Sequence, residues 1–321
     1  MSRGGTTKRA TAFAPATVAN VAVGFDILGF AVESIGDSVT VSATEEPSVT
    51  VREITRADGT PFDSEIPHDP ARNTATVGLI ALREELKLNY GFEVSIGKGI
   101  ALGSGMGGSA ASAVAGLVAA NSLLERPLEA ESLLRYALLG ERAASAAFHP
   151  DNVAPCLFGG LILVTSMSPL RYVRIPVPEK ILAVLAHPHK RIDTRAARRL
   201  LRPEVTLADH VSQSASLAGF VAGCYTNDPE LIGDCFRDVV IEPQRAPLIQ
   251  GFAEVKAAAI EAGALGAAIS GSGPTVFAWV TSAGAAERVR RAMVRAFSEH
   301  GATGADSWVS PVSMRGARVL G

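Results

Sequence analysis

Cysteine is scarce in the 321-residue sequence, which contains only Cys156, Cys224 and Cys235 and no C-x-x-C pair. An odd number of isolated cysteines in a chain of this length argues against a disulfide framework. We interpret the three residues as buried thiols of a protein that works in a reducing compartment.

The sequence also lacks a large excess of either basic or acidic residues, and it lacks long apolar runs. Thirty basic and thirty-two acidic side chains leave a formal charge of -2, which provides no field to attract nucleic acid or an anionic membrane. No uncharged apolar run approaches the ~18 residues of a membrane-spanning helix. Pro15, Thr17 and Asn20 interrupt the single N-terminal segment that has some features of a secretory signal. We therefore expect a cytoplasmic protein with no nucleic-acid or membrane partner.

The order of the elements predicts an α+β fold. Strand patterns at 11–19, 38–42 and 92–96 precede two helices at 109–124 and 128–145. Asn73 is placed to cap an earlier helix, Asp193 to cap a short arginine-rich one, and a buried strand is expected at 158–164. Further helices are expected from Leu207, Pro229 and Pro247. Helices interleaved with hairpin-type strands favour two-layer sandwiches over a parallel sheet.

A polar, proline-rich change of texture at 166–178 predicts a boundary between two domains. We place these domains at 1–168 and 169–321.

The segment 100–111 is a glycine loop that runs directly into an alanine-rich helix. Glycines allow successive backbone N–H groups to turn inward, and the helix N-terminus attracts anions, so the junction is suited to phosphate. Gly103, Gly105 and Gly108 also satisfy the dinucleotide pattern G-x-G-x-x-G. A second helix follows the first, however, where a dinucleotide fold requires a parallel strand, and the sequence contains no G-x-x-x-x-G-K-[ST].

Three segments in order give the sequence its clearest resemblance. They are 14–26 (APATVANVAVGFD), 102–110 (LGSGMGGSA) and 268–275 (AISGSGPT), and together they are similar to the three motifs of the GHMP kinase superfamily. The runs 149–155 (HPDNVAP) and 241–245 (IEPQR) resemble the homoserine kinases within that superfamily. This resemblance implies a two-domain fold, with an N-terminal domain like ribosomal protein S5 domain 2 and a C-terminal ferredoxin-like two-layer sandwich.

The resemblance also implies ATP and Mg²⁺ as the cofactors. The side chains implied to hold the metal are Ser109 and Glu141, both also counted as catalytic, and hard oxygen ligands suit Mg²⁺. A glutamate on a helix is more often an ordinary surface acid, and a helix cap explains Asn73 as well as an adenine contact does. The residues implied to bind ATP are Asn73, Leu102, Gly103, Ser104, Gly105, Met106, Gly107, Gly108 and Ser109.

The implied acceptor is L-homoserine, whose side-chain hydroxyl would become O-phospho-L-homoserine in threonine biosynthesis, and the family further implies a homodimer. Asp26 and Asn20 match positions near the substrate ammonium, and Arg198 and Arg245 match those that bind its carboxylate. Asn152 is implied to orient the hydroxyl as a catalytic residue. The complete implied substrate set is Asn20, Asp26, His149, Asn152, Thr194, Arg198 and Arg245. Arg198 lies among other arginines, so a solvated basic helix face is the competing interpretation.

Three departures from the family pattern leave alternatives open. Ala101 replaces a usual proline, Gly108 a usual serine and Pro150 a usual alanine, which affects the expected rate and affinity more than the reaction class. A GHMP kinase for another alcohol and a non-catalytic ligand sensor are the alternatives. His187 and His189 form an H-x-H pair with no third ligand apparent, and we interpret them as structural.

Overall fold

The computed structural model describes residues 8–62, 65–145 and 148–321, and in these ranges a seven-stranded sheet forms around one long strand. Its strands are β1 (Arg9–Ala19), β2 (Leu28–Thr44), β3 (Val49–Arg56), β4 (Gly91–Lys98), β5 (Leu161–Met167), β6 (Leu170–Ile175) and β11 (Arg318–Leu320). The main order is β11-β1-β2-β4-β3, while β5 pairs with the start of β2 and β6 pairs with β5. All of these pairs are antiparallel except β3 with β4.

Four helices accompany this sheet: α1 (Thr74–Glu85), α2 (Gly108–Asn121), α3 (Ala130–Ser145) and α4 (Pro150–Phe158). Helix α2 is buried on almost every side because its residues are mostly alanine and glycine, which allow neighbouring elements to approach closely. It contacts α1, α3, β1 and β2. This packing fixes the N-terminal end of α2, where the glycine loop enters.

The second sheet has the order β10-β7-β9-β8 and is antiparallel throughout. Its strands are β7 (Leu182–Pro188), β8 (Gly266–Ile269), β9 (Val276–Val280) and β10 (Ala305–Pro311). Helices α9 (Phe252–Glu261) and α10 (Ala283–Glu299) pack against it and against each other. Between β7 and β8 the chain forms α5 (Thr194–Arg199), α6 (Leu207–Thr226), α7 (Pro229–Asp234), α8 (Glu242–Arg245) and a 3₁₀ turn at Ala246–Leu248.

Aromatic side chains join the two sheets. Phe30 of β2 lies with its ring centre 5.7 Å from that of Phe277 and 5.6 Å from that of Trp279, both on β9. Phe220 of α6 packs on Trp279 at 5.3 Å. All four side chains are fully buried, so the two sheets share an apolar core. The predicted α+β class and the ferredoxin-like C-terminal sandwich are confirmed.

Two local predictions had the wrong bounds. The segment expected as a strand at 158–164 instead ends helix α4 at Phe158, and the strand begins at Leu161, because Pro150 can start a helix that the apolar pattern alone does not reveal. The helix expected from Pro247 is only a 3₁₀ turn, and α9 begins at Phe252.

The division between residues 168 and 169 stays a prediction. The β5–β6 hairpin spans it, and the chain changes sheets between Ile175 and Leu182. No helix in the described ranges has the length and apolar character needed to span a membrane.

Candidate active site

A cavity of about 1080 Å³ brings together residues from both halves of the chain. The predicted site residues that line it are Asn20, Asp26, Asn73, Leu102, Gly103, Ser104, Gly105, Gly107, Gly108, Ser109, Glu141, His149, Asn152, Thr194, Arg198 and Arg245. Met106 is the exception, since its side chain is fully buried in the core and only its backbone stays with the loop. The carbonyl of Met106 accepts a hydrogen bond from the Thr17 amide at 3.1 Å, which fastens the loop to β1.

The glycine loop leads into the N-terminus of α2 without a side-chain cap. Gly103, Gly105 and Gly107 have φ values of 62°, 79° and 67°, a region that side chains with a Cβ rarely occupy. Gly107 is the N-cap of α2 and provides no capping oxygen. The first-turn N–H groups of a helix have no intrahelical acceptor, so this end is suited to an anion such as a phosphate.

The second glycine turn, 270–275, holds the loop in place. Ser270 Oγ donates to the Gly105 carbonyl at 2.8 Å, and the Thr275 amide donates to the Ser104 carbonyl at 3.2 Å. A Cβ on Gly105 would lie 2.4 Å from the Ser270 carbonyl oxygen. His187, buried on β7, lies with Nδ1 3.1 Å from Thr275 Oγ1. His187 of the H-x-H pair thus supports this turn, while a purely structural role for His187 and His189 stays a prediction.

A buried ion pair lies beneath the loop. Lys98, at the end of β4, forms an ion pair with Asp37 of β2, and both are almost completely buried. Lys98 Nζ also donates to the Gly108 carbonyl and to Ser112 Oγ, each at 2.9 Å. Asp37 accepts from the backbone amides of Gly99 and Ile100 at 3.0 and 3.1 Å. The network connects the strand, the start of the loop and the first turns of α2.

Ser109, Glu141 and His149 form a hydrogen-bonded chain along one wall. Ser109 Oγ donates to Glu141 Oε2 at 2.5 Å, and His149 Nδ1 donates to Glu141 Oε1 at 3.0 Å. Burial by itself lowers the pKa of His149, but the hydrogen bond and charge of Glu141 outweigh it and raise that pKa. Glu141 is only 4% exposed, so it is not an ordinary surface acid.

The same wall fits a magnesium ion that ATP would help to bind. Within 8–62, 65–145 and 148–321, no group of three or more His, Cys, Asp or Glu residues forms a metal cage. Mg²⁺ is usually held by one or two protein oxygens together with substrate phosphates rather than by a complete protein cage. The Ser109 hydroxyl and Glu141 carboxylate, next to the N-terminus of α2, are such a donor set.

Next to this wall, Arg198 of α5 meets Asp26 in the turn between β1 and β2. Arg198 Nη2 donates to Asp26 Oδ1 and Oδ2 at 2.7 and 2.8 Å, and also to His149 Nε2 at 3.3 Å. Asn20 accepts from the Asp26 amide at 3.1 Å and donates to the Gly271 carbonyl at 2.8 Å. Asn20 and Asp26 both have positive φ, 70° and 60°, a strained conformation that is concentrated at functional sites.

Arg245 of α8 is 3% exposed and completes this part of the cavity. Its Nη1 donates to the Gly271 carbonyl at 2.8 Å, and no acceptor among the described residues reaches its Nε. The Phe25 ring lies 5.3 Å from the Arg198 guanidinium and 5.1 Å from that of Arg245. The pKa of Arg245 lies below its ordinary value, because burial lowers it more than the nearby charge of Asp26 raises it. Both guanidinium groups thus line one pocket.

The remaining predicted residues occupy the junction between loop and pocket. Asn152 Oδ1 accepts from Thr17 Oγ1 at 2.8 Å, and Thr194 Oγ1 lies 3.2 Å from Ser272 Oγ. Asn73 caps α1 by accepting from the Ala75 amide at 2.9 Å, and its Nδ2 donates to the Pro67 carbonyl at 2.7 Å. The cap is therefore confirmed, while contact with an adenine stays a prediction.

Sequence reasoning missed Thr17, Lys98 and Asp151 as parts of the site. Lys98 and Asp151 line the cavity, and Thr17 fixes Asn152. Asp151 lies inside the 149–155 motif, and Lys98 lies just before the glycine loop, so proximity to a motif was the available signal. Their partners are distant in sequence, which hid their roles.

Comparisons with known proteins agree with this geometry. The family model described as the GHMP kinases N terminal domain matches residues 73–160, and that described as GHMP kinases C terminal matches 220–299. The homoserine kinase of Xylella fastidiosa strain M12 is 49% identical, covering 98% of this chain and 95% of that protein. The homoserine kinase of Chloroherpeton thalassium is 43% identical, covering 98% of this chain and 100% of that protein.

Solved structures show the same relationship. A crystal structure of homoserine kinase from Cytophaga hutchinsonii superposes with a TM-score of 0.93 at 42% identity, covering all of both chains. Lactococcus lactis galactokinase complexed with galactose shares the fold alone, with a TM-score of 0.70 at 17% identity, covering 99% of this chain and 97% of that one. With two domain models matched in order and relatives above 40% identity over nearly the full length, this chain belongs to the homoserine kinase family of the GHMP kinases.

Proposed function

We propose that the chain transfers the γ-phosphoryl group of ATP to the side-chain hydroxyl of L-homoserine, giving O-phospho-L-homoserine for threonine biosynthesis. The observation that carries this proposal is the pocket in which Asp26, Arg198 and Arg245 meet beside the glycine loop. One carboxylate and two guanidinium groups suit an amino-acid zwitterion. The named relatives are homoserine kinases, which supports the same substrate.

The substrate carboxylate would bind to Arg198 and Arg245, whose planar guanidinium groups make paired hydrogen bonds to carboxylates. Asp26 would accept from the substrate ammonium, and Asn20 keeps Asp26 in place through its backbone amide. Thr194 and His149 complete the pocket wall. The hydroxyl would then point towards Asn152, which lies next to the glycine loop: a Cβ on Gly107 would be only 2.8 Å from Asn152 Oδ1.

Positioning and charge neutralisation supply most of the acceleration in phosphoryl transfer, whose transition state is loose. The loop residues Leu102–Gly108 and the N-terminus of α2 would bind the phosphates, and Asn73 would border the adenine. Ser109 and Glu141 would hold Mg²⁺, which when bound neutralises charge on the phosphates. No lysine lies near 20–26 in the sequence, and Lys98, which lines the same cavity, is paired with Asp37. Asp26 is therefore assigned to the ammonium, and the hydroxyl proton would pass to the phosphate after Asn152 has oriented the hydroxyl.

The proposal also includes a cytoplasmic location and a homodimer. The free thiols Cys156, Cys224 and Cys235 support a reducing compartment. An exposed apolar face on α6 supports self-association, since Leu207, Val211 and Tyr225 are 77%, 60% and 60% exposed. Light scattering on the wild type and on a Leu207→Asp, Val211→Asp double variant tests this point, with a dimer and a monomer as the expected results.

An ADP-release assay with homoserine, mevalonate, galactose and shikimate tests the activity. We expect ATP- and Mg²⁺-dependent turnover with homoserine and little with the other three. Preferred use of another alcohol would support a different GHMP kinase, and ligand binding without ADP release would support a non-catalytic sensor. The hydrogen bond from Ser109 to Glu141 in the described structure favours catalysis over sensing, since it brings together the two side chains assigned to the metal.

A further inference from the structure

Gln244 immediately precedes Arg245 on α8, and its side chain contacts the segment that follows α5. Its Oε1 accepts from the Arg202 amide at 2.8 Å, and its Nε2 donates to the Val240 carbonyl at 2.6 Å. An N–H on one side and a carbonyl on the other allow only this orientation of the side-chain amide. Arg202 lies four residues after Arg198, so Gln244 connects the two short helices that carry the guanidinium groups of the pocket.

Neither of these helices is long enough to be stable by itself. Helix α5 has six residues and α8 has four, so the position of each depends on contacts with other parts of the chain. The N-terminal end of α5 is placed against the second glycine turn, where Thr194 Oγ1 lies 3.2 Å from Ser272 Oγ. Beyond the C-terminal end of α5, every residue in 202–208 is exposed, so apolar packing contributes little there. The hydrogen bond from the Arg202 amide to Gln244 therefore matters for the position of this end.

Helix α8 is held more firmly than the end of α5. The Asp238 carboxylate accepts from the backbone amides of Val240, Ile241 and Glu242, each at 2.9 Å. Glu242 in turn forms a partly buried ion pair with Lys256 of α9, and α9 packs on the second sheet. Hydrogen bonds to an ionised carboxylate are stronger than neutral ones. Helix α8 thus provides a fixed support for the exposed segment that follows α5.

We propose that Gln244 is a positioning residue that sets the spacing of Arg198 and Arg245 by holding the C-terminal end of α5 against α8. The inference rests on the proposed function, since these two arginines are the groups assigned to the homoserine carboxylate. Two guanidinium groups bind one carboxylate well only when both lie at hydrogen-bonding distance from it. Among the described residues, the cavity lining includes Arg198 and Arg245 but not Gln244. Gln244 therefore acts through Arg198, and it affects recognition of the carboxylate rather than phosphoryl transfer.

The test compares three acceptors in the wild type and in Gln244→Met, which keeps the length of the side chain and removes its amide. Homoserine and 4-hydroxybutyrate carry the carboxylate, whereas 4-aminobutanol lacks it. We expect Gln244→Met to raise KM for both carboxylates about fivefold, the value of one hydrogen bond, and to change kcat by less than about twofold. The kcat/KM for 4-aminobutanol and the KM for ATP should change by less than about twofold.

Equal losses for all three acceptors, or no loss, would overturn the proposal. Gln250→Met, at an exposed position between α8 and α9, is the matched control and should behave as the wild type. In an Arg198→Leu background, Gln244→Met should no longer change kcat/KM for homoserine, because its effect passes through Arg198. A full fivefold effect in that background would also count against the proposal.

Hydrogen exchange provides a measurement that does not depend on turnover. The Arg202 amide should exchange about fivefold faster in Gln244→Met than in the wild type, because it has lost its acceptor, while Tm stays nearly the same. An unchanged exchange rate, or a large fall in Tm, would overturn the positioning role. If the wild type does not phosphorylate homoserine, the proposed function fails, and the exchange rate still decides whether Gln244 holds this segment. If the wild type does so and the variant has the same KM for homoserine, only this inference fails.

Discussion

The Thr17 hydroxyl on β1 donates a 2.8 Å hydrogen bond to Oδ1 of Asn152 on α4. The contact joins two residues 135 positions apart at the junction between the glycine loop and the substrate pocket. It engages the amide oxygen of Asn152 and so fixes the orientation of the NH₂ group, the donor that we assign to the substrate hydroxyl. A Cβ at Gly107 would lie 2.0 Å from Thr17 Oγ1, so the loop packs directly against this pair.

Replacing Thr17 with Val should therefore lower kcat/KM for homoserine about tenfold, the value of one neutral hydrogen bond, with ATP affinity nearly unchanged. Steady-state kinetics and ATP calorimetry measure the two effects. Thr11→Val is the control, because Thr11 lies on the same strand as Thr17 and its hydroxyl is paired with that of Thr40 on β2. Wild-type kinetics in Thr17→Val would mean that Asn152 does not depend on this contact.

Gly105→Val should abolish ATP binding detectable by calorimetry, because the Gly105 backbone has φ 79° and its Cβ would collide with the Ser270 carbonyl. Circular dichroism should still show a folded protein. Gly284→Ala, where an added Cβ meets only an Arg288 nitrogen at 3.7 Å, should bind ATP normally. Normal ATP affinity in Gly105→Val would refute the assignment of the loop to the phosphates.

Glu141→Gln should reduce kcat by about 100-fold or more, because it removes the carboxylate assigned to Mg²⁺ and several kcal/mol of charge stabilisation. The dependence of the residual rate on Mg²⁺ concentration should shift to higher concentrations. Glu131→Gln, at an exposed site on the same helix, is the control. Wild-type turnover at ordinary Mg²⁺ concentrations would show that Glu141 is not a metal ligand.

Lys98→Met should lower the free energy of unfolding by about 3–5 kcal/mol, because it leaves the Asp37 carboxylate buried without its partner. ATP affinity should fall as well, since Lys98 also holds the Gly108 carbonyl at the start of α2. Urea unfolding and calorimetry check both effects. Arg52→Met, which breaks an exposed pair with Glu93, should cost about 1 kcal/mol or less. Similar losses in the two variants would contradict this account of the loop support.

His187 should make the protein less stable in acid. Burial lowers the pKa of His187 to about 4, against an ordinary value of 6.5. The unfolded chain therefore binds a proton between these values and the folded protein does not. Stability is fully present above pH 6.5 and falls by about 3 kcal/mol as the pH drops towards 4.

The check is urea unfolding at pH 7.5 and 4.5 for the wild type and His187→Gln, with a variant at exposed His210 as control. The free energy of unfolding should differ less between pH 7.5 and pH 4.5 in His187→Gln than in the wild type, because this variant has no imidazole to protonate. An unchanged difference would mean that His187 does not stay neutral in the folded protein.

The sequence alone determined the elements that depend on interactions between residues close together in the chain. The Asn73 and Asp193 side chains cap helices because their oxygens reach amides two or three residues ahead, and alanine and glycine after residue 107 specify a close-packed helix. The glycine pattern likewise fixed the loop before α2, since only glycine tolerates its three positive φ values at little cost. The motifs indicated the family and the side chains expected to bind ATP, Mg²⁺ and the substrate.

Only the tertiary structure decided how those side chains meet. Arg198 pairs with Asp26 across 172 residues because α5, following β7 of the second sheet, lies against the β1–β2 turn of the first. Within the first half of the chain, β2, β4 and α2 come together to bury Lys98 with Asp37. Burial and the charges of residues distant in sequence set the pKa values and free energies in the pocket. Neither is encoded in the local pattern, because both arise when the two sheets join around a shared core.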